Sequence, residues 1–451
     1  MDGRLADRVR CFTDRLARED VNLYGFILSV NGEEKAKAYY APMREGKPHR
    51  LYSVSKTLTG IAIGMLIDDG KLTLDSLIAD FFRDWITEKT DERVKRLKIR
   101  DMLRMATCFS KTAYREGTDE NWAEAFFRTP ADHEPGTVFA YDTGNSQVLA
   151  ALVRRLSGQE VMEFLEERLF KPLGCEDPRF WLRDPSGCCQ GGTGLCMSLR
   201  DMHRIALCLA DGGRGLIPGW FVEEMQRKHI ETVLQDKEEE RYGYGWQCWR
   251  VRTGWAMYGM GGQLAVICPE KQAVLSTIAD TRLDPQGVQR IYNAFFDEVY
   301  PYLGTEDTAP VRLNLAVRPL EDRAEIAGTA EGEYCFPEGN ALGLKHLRMD
   351  RDCVRLENTR GDAAIPFRRG EILETAFPGW PEVPALISAG WLEDGLLRVR
   401  CFAVGDSPCG FDMLIHIREN RATVQSRCSS GLVTGGYQGF ASGYRKAEEK
   451  A

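Results

Sequence analysis

Ser53-Val54-Ser55-Lys56 is the one S-x-x-K in the sequence, an alcohol followed three residues later by an amine. On a helix these side chains lie on one face, one turn apart, so Nζ can reach Oγ. A serine hydroxyl is a poor nucleophile until a neighbouring base takes its proton. The tetrapeptide also stands where a helix is expected to open. Leu58, Ile61, Ala62, Met65 and Leu66 repeat at helical spacing and Gly70 closes the pattern, which predicts a helix over 53–69. At its N-terminus the unpaired N–H groups and the helix dipole favour developing negative charge. The competing reading is an ordinary N-cap serine with an exposed lysine in the first turn. Four residues alone leave both readings open.

The elements that would position this pair can be read around it. Residues 5–18 look helical; 21–30 are rich in β-formers, Asn31-Gly32 signals a turn, and 36–40 resume a strand. Helical patterns dominate to about residue 228, among them 99–105, 145–156, 161–169 and 199–209. Residues 263–268 and 273–279 read as two strands joined by Pro269-Glu270-Lys271, and 288–300 return to helix. The polar run Gly304-Thr305-Glu306-Asp307-Thr308-Ala309-Pro310 opens an expected linker over 304–324, separating a domain at 1–303 from one at 325–451. The latter holds short strand-like runs at 344–349, 354–356, 396–402, 411–417 and 422–426, the pattern of a small all-β, barrel-like domain.

Composition narrows the function classes. With 451 residues, 43% hydrophobic and 28% charged, the chain has the balance of a soluble protein of two or three domains. A net charge of −8 supplies no basic field, so neither nucleic acid nor an anionic membrane is an expected partner. No apolar run approaches a membrane span and the N-terminus lacks an apolar leader, which reads as a cytoplasmic protein. The fourteen cysteines are scattered without a C-x-x-C pair and read as reduced, mostly buried residues. Six histidines without metal-ligand spacing give no metal site, and no cofactor is expected. Gly64 to Lys71 fails as a phosphate loop, because five residues separate its glycines and Leu72 follows the lysine. His133-Glu134 reads as a polar loop, and the charge run 236–241 as a solvated loop or helix end.

Longer stretches add to the tetrapeptide. Leu51-Tyr52-Ser53-Val54-Ser55-Lys56-Thr57, then Gly64, Asp69-Gly70-Lys71-Leu72 and Leu74-Asp75, resembles the serine β-lactamase and penicillin-binding-protein superfamily, nearest its class C-like hydrolases and esterases. Similar pieces follow in order: Ile99-Arg100-Asp101-Met102-Leu103-Arg104-Met105, Glu134 to Tyr141, Phe170-Lys171-Pro172-Leu173-Gly174 and Gly191-Gly192-Thr193-Gly194-Leu195. The resemblance covers roughly residues 20–300. It implies an α+β fold, an antiparallel sheet flanked by helices plus a mostly helical subdomain, with the C-terminal β domain as an accessory.

The resemblance further implies a serine hydrolase. Ser53 would attack the carbonyl of a small ester, amide or peptide and form an acyl-enzyme, with Lys56 and Tyr141 as the base system. The backbone N–H groups of Ser53 and Gln263 would form the oxyanion hole, with Gly261 and Gly262 letting substrate approach the strand closely. Two departures bear on substrate. Tyr141-Asp142-Thr143 stands where the family has Y-x-N, so a hydroxyl replaces an amide. Met260 stands where the family carries a cation that would hold a substrate carboxylate. Both argue against penicillins. Alternatives are a catalytically silent ligand-binding member of the fold, or a weak β-lactamase or D-amino-acid peptidase. The aromatic group Tyr242, Tyr244, Trp246 and Trp249 reads as packing before it reads as an acyl pocket.

Overall fold

Asn31 and Gly32 both take left-handed φ values, +53° and +77°, the backbone that a tight two-residue hairpin requires. They join β1 (Leu23–Val30) to β2 (Glu33–Ala41), which pair antiparallel from Val30 opposite Glu33. This hairpin sits within a computed structural model that describes residues 5–111, 121–304, 310–324, 330–359, 361–406, 409–429 and 437–446. The chain forms two units, residues 1–281 with 286–315 and residues 282–285 with 316–451.

In the first unit β1 is buried on both faces, and the reason lies in the helices beside it. Phe12 of α1 (Leu5–Arg18) meets Phe26 edge to face at 5.5 Å between ring centroids. On the other face His203 of a later helix bonds the hydroxyl of Ser29 at 2.8 Å. The main sheet also contains β3 (Trp249–Val251), β4 (Gly254–Gly259), β5 (Gln263–Cys268), β6 (Ala273–Ala279) and β7 (Val311–Arg312), and its main path runs β7-β2-β1-β6-β5-β4-β3. The 263–268 and 273–279 pairing follows the sequence reading residue for residue. Three long helices complete the frame: α2 (Val54–Asp68), α3 (Thr143–Ser157) and α4 (Leu199–Ala210), the last packed on β5 and β6.

Within the stretch read as a linker, Val311 and Arg312 run parallel to Ala36 and Lys37 of β2, so this part belongs to the main sheet. Residues 305–309 and 325–329 lie outside the described residues, as do 430–436 and 447–451 of the Gly-rich tail.

The second unit is a nearly closed, barrel-like antiparallel sheet of ten strands. Alternation builds its interior: Leu397, Val399 and Cys401 face inward beside Phe411, Met413 and Ile415, and then Ala422 and Val424. Its longest strand, Trp380–Glu393, was not among the expected runs. Pro381, Pro384 and Gly390 interrupt the local pattern, and only pairing with strands on both sides holds that segment extended. All fourteen cysteines are unpaired thiols, most of them buried. Among the described residues no helix is long and apolar enough to cross a membrane.

Candidate active site

Helix α2 carries hydroxyls and a lysine, yet every residue from Val54 to Leu66 is buried. It tolerates this because each polar side chain ties it to a neighbour. Ser55 Oγ accepts from the Leu195 N–H at 2.9 Å, Thr57 donates to the Gln247 carbonyl at 2.7 Å, and Thr59 donates to the Gly191 carbonyl at 2.8 Å. The periodicity suggested one apolar face; instead the helix is enclosed. Gly60 and Gly64 make room for Gln247 and for the Phe221 ring, which a Cβ at residue 64 would approach to 2.5 Å.

Ser53 occupies the N-cap position, but its side chain makes no cap hydrogen bond. The preceding Tyr52 has φ +48°, a left-handed backbone that costs a residue with a Cβ about 1–2 kcal/mol. The serine hydroxyl instead accepts from Lys56 Nζ at 2.9 Å. Lys56 is 1% exposed, so the reading of a solvated first-turn lysine fails. Its Nζ also donates to Thr143 Oγ1 at 3.2 Å and to the Gly192 carbonyl at 2.9 Å. Burial is the main influence on its charge and lowers its pKa from 10.5 to about 7, against the opposing pull of Asp142. An amine so placed can be uncharged near neutrality and within reach of a hydroxyl proton.

Tyr141 and Thr143 come from the start of α3. Asp142 caps that helix by accepting the Asn145 N–H at 3.0 Å, which sends the residues on either side of it toward Lys56. Lys56 Nζ lies 4.9 Å from the Tyr141 ring centroid. Burial drives the Tyr141 pKa upward; the polar groups of Ser53 and Trp249 oppose this and the charge of Glu240 adds to it. The sequence reading left the base role open between Lys56 and Tyr141. Enclosure disfavours a phenolate at Tyr141. Asn145 is spent elsewhere, its Nδ2 donating to the Met102 carbonyl at 2.7 Å, so it replaces no amide lost at Thr143.

A third wall, residues 190–195, carries a group that the sequence reading left without a role. The Gly192 carbonyl holds Lys56, and a Cβ there would stand 2.7 Å from Thr143 Cγ2 and 3.3 Å from Lys56 Nζ. At Gly191 a Cβ would lie 2.4 Å from the Ser146 carbonyl of α3. The adjacent glycines are the signal that could have marked this close approach. Gly192→Ala is expected to lose about 1–3 kcal/mol of stability through overpacking. By shifting Thr143 and Lys56 it should lower kcat more than it raises KM, as urea unfolding and ester kinetics would show.

At the third element the structure redistributes the expected roles. Gly261 and Gly262, at φ +87° and +96°, form the turn between β4 and β5. The close approach to the Ser53 segment is made by Gly259, where a Cβ would meet the Leu51 carbonyl at 2.1 Å. Gln263 turns its side chain to β6, donating to the Ala279 carbonyl at 2.7 Å and accepting the Ala279 N–H at 3.3 Å. Its amide thus continues the ladder for one residue beyond the strand pairing. Met260 is half exposed at 51% and brings no charge. Tyr244 and Trp249 pack around Tyr141 with Phe139 and Tyr258, whereas Trp246 stacks on His229. The charge run read as solvated is in part buried: Glu239 bonds the backbone of Arg252, and Glu240 accepts from Lys237 at 2.9 Å.

Comparison with known proteins finds relatives of this chain. The chain is 25% identical over 252 residues to 6-aminohexanoate-dimer hydrolase of Paenarthrobacter ureafaciens, covering 52% of this chain and 62% of that protein. It is 26% identical over 159 residues to lovastatin esterase of Penicillium rubens, covering 29% and 39%. The chain therefore spans less than two thirds of the length of either curated relative. The octameric penicillin-binding protein homologue from Pyrococcus abyssi shares the fold, with 13% identity and a TM-score of 0.50 over 97% of this chain and 99% of that one. The sequence model of the Beta-lactamase family matches residues 9–294, more than half of the chain. The chain belongs to the beta-lactamase family.

Proposed function

We propose that this protein is a serine hydrolase that forms an acyl-enzyme on Ser53 and acts on a small, uncharged ester or amide. The observation that carries the reading is Lys56 Nζ at 2.9 Å from Ser53 Oγ, buried so that its pKa falls to about 7. In this reading neutral Lys56 takes the hydroxyl proton as Ser53 adds to the carbonyl. Tyr141, held protonated by burial, passes a proton to the leaving group and is resupplied from Lys56. The oxyanion is met by the Ser53 N–H and by a backbone N–H of the 259–263 turn, Gln263 in the sequence reading. Water then releases the acid.

Substrate class follows from charge. Met260 offers no partner to a carboxylate, and the Thr143 hydroxyl already accepts from Lys56. The names of the relatives, a 6-aminohexanoate-dimer hydrolase and a lovastatin esterase, support hydrolysis of a small acyl substrate. A fluorophosphonate probe is expected to label Ser53, located by peptide mass spectrometry. Acetyl and butyryl p-nitrophenyl esters should turn over, with nitrocefin about 10- to 100-fold slower for want of the charged contact. An unlabelled Ser53 would favour the silent ligand-binding alternative. Nitrocefin turned over as fast as the esters would return the protein to the β-lactamases proper.

A further inference from the structure

Gln247 is 1% exposed and has a left-handed backbone, φ +55°, the conformation that favours glycine. Yet a long side chain stands here, and every polar group of the residue is bonded. The backbone N–H donates to the Leu103 carbonyl at 2.8 Å, and the backbone carbonyl accepts from Thr57 Oγ1 at 2.7 Å. The side-chain Oε1 accepts from Ser146 Oγ at 2.7 Å. Nε2 donates to the carbonyls of Met102 and Leu103, at 3.0 and 3.2 Å, in the short helix Ile99–Leu103.

These partners belong to the elements that carry the reacting groups. Thr57 follows Lys56 on α2, and Ser146 lies one turn beyond Thr143 on α3. Two residues past Gln247, the Trp249 ring packs 5.4 Å from that of Tyr141. The backbone bonds of Gln247 reach α2 and the 99–103 helix, and any residue at this position could make them. The amide adds α3, through Ser146. A separate bridge joins the same two long helices farther on. The Gly191 carbonyl accepts from Thr59, and the Gly191 N–H donates to Gln147 Oε1 at 3.0 Å. The fold therefore keeps a tie between α2 and α3 that does not pass through residue 247.

We propose that Gln247 is a positioning residue, whose amide sets the first turn of α3 against α2 and so keeps Thr143 and Tyr141 in register with Lys56. The distances it governs are the Lys56–Thr143 bond at 3.2 Å and the 4.9 Å approach of Nζ to the Tyr141 ring. Misplacement of reacting groups by about 1 Å can cost about 10²-fold in rate, so a tie that touches no substrate still controls turnover. Without the amide, the Ser146 hydroxyl turns back to its own helix and the start of α3 loses that restraint.

The inference rests on the proposed Ser53–Lys56 chemistry. It is tested with Gln247→Asn, which suits the left-handed backbone but shortens the amide arm by a methylene, and with Ser146→Ala, which removes the α3 partner. Fluorophosphonate labelling is followed over time in each, beside wild type, Ser53→Ala and thermal melting. The end point counts intact sites, and the rate constant reports how well Ser53 is activated. A positioning role predicts an end point near that of wild type, with labelling and kcat for p-nitrophenyl butyrate both slowed about 10- to 100-fold. The double variant should be no slower than the slower single one, since both changes cut the same tie. A wild-type rate constant, at a full or a reduced end point, would overturn the role and leave Gln247 a packing residue. Losses that multiply in the double variant would overturn it too. Ser146→Ala keeps the test decisive should Gln247→Asn fail to fold, because alanine suits a helix interior. Unlabelled wild-type Ser53, or turnover that survives in Ser53→Ala, would instead overturn the underlying mechanism, so the two failures are distinct.

Discussion

Ser53→Ala is expected to abolish ester turnover, lowering kcat/KM by on the order of 10⁴–10⁶, while the fold is retained. The size of the loss follows from the absence of a second alcohol in the same position. Ser55, the nearest hydroxyl on α2, donates to the Tyr52 carbonyl and accepts from the Leu195 N–H, so it faces the 195 segment and not Lys56. The small structural effect follows from what the Ser53 side chain does not do. It makes no cap bond, and Lys56 keeps its bonds to Thr143 and the Gly192 carbonyl once the serine hydroxyl is gone. The expected change in unfolding free energy is about 1 kcal/mol or less, the net worth of one hydrogen bond. Turnover and fluorophosphonate labelling measured beside urea unfolding test both halves. Activity that persists in a folded alanine variant would remove Ser53 from the mechanism.

Lys56→Met should cost activity by about 10²–10⁴, the worth of a general base, and should alter how stability depends on pH. Wild-type kcat/KM is expected to rise with pH and reach half its plateau near 7, where the buried amine loses its proton. The same burial penalises folding. The folded-state pKa lies below that of the unfolded chain, so between about 7 and 10.5 the unfolded state binds more protons and stability rises with pH. Below that window the penalty is at its full size. Methionine carries no such penalty, although it forfeits the bonds to Ser53, Thr143 and Gly192. That forfeit is nearly constant with pH, whereas the charge penalty is not. The variant should therefore gain on wild type as pH falls from about 10 to 7, by up to about 1.4 kcal/mol per pH unit. Chemical denaturation at several pH values would show a sloping difference. A flat one would mean that Lys56 remains charged in the fold.

These expectations depend on features of unequal visibility in the chain. The hairpin at Asn31-Gly32, helix α2 and the paired strands at 263–268 and 273–279 were legible because each is written in a short local pattern of periodicity and turn residues. The Ser53–Lys56 contact was legible for the same reason, since residues one helical turn apart meet wherever the helix goes. Tyr141 and Thr143 were reachable through resemblance, being 85 or more residues distant from the pair in the chain. The strand Trp380–Glu393 escaped because its prolines and glycine contradict local propensity and pairing on both sides overrides them.

By itself the order of residues determined which groups could react: an alcohol and an amine on one helical face, with a phenol farther on. Their protonation was decided only by the tertiary structure. Enclosure by α3 and the 190–195 wall pushes Lys56 down toward neutrality and Tyr141 up, where the residue order left the base role open between them. It also recruits the Gly192 carbonyl, which has no local signature of function. The physical reason is that charge in a protein is priced by desolvation and by neighbours in space, and both are properties of packing that adjacency along the chain does not express.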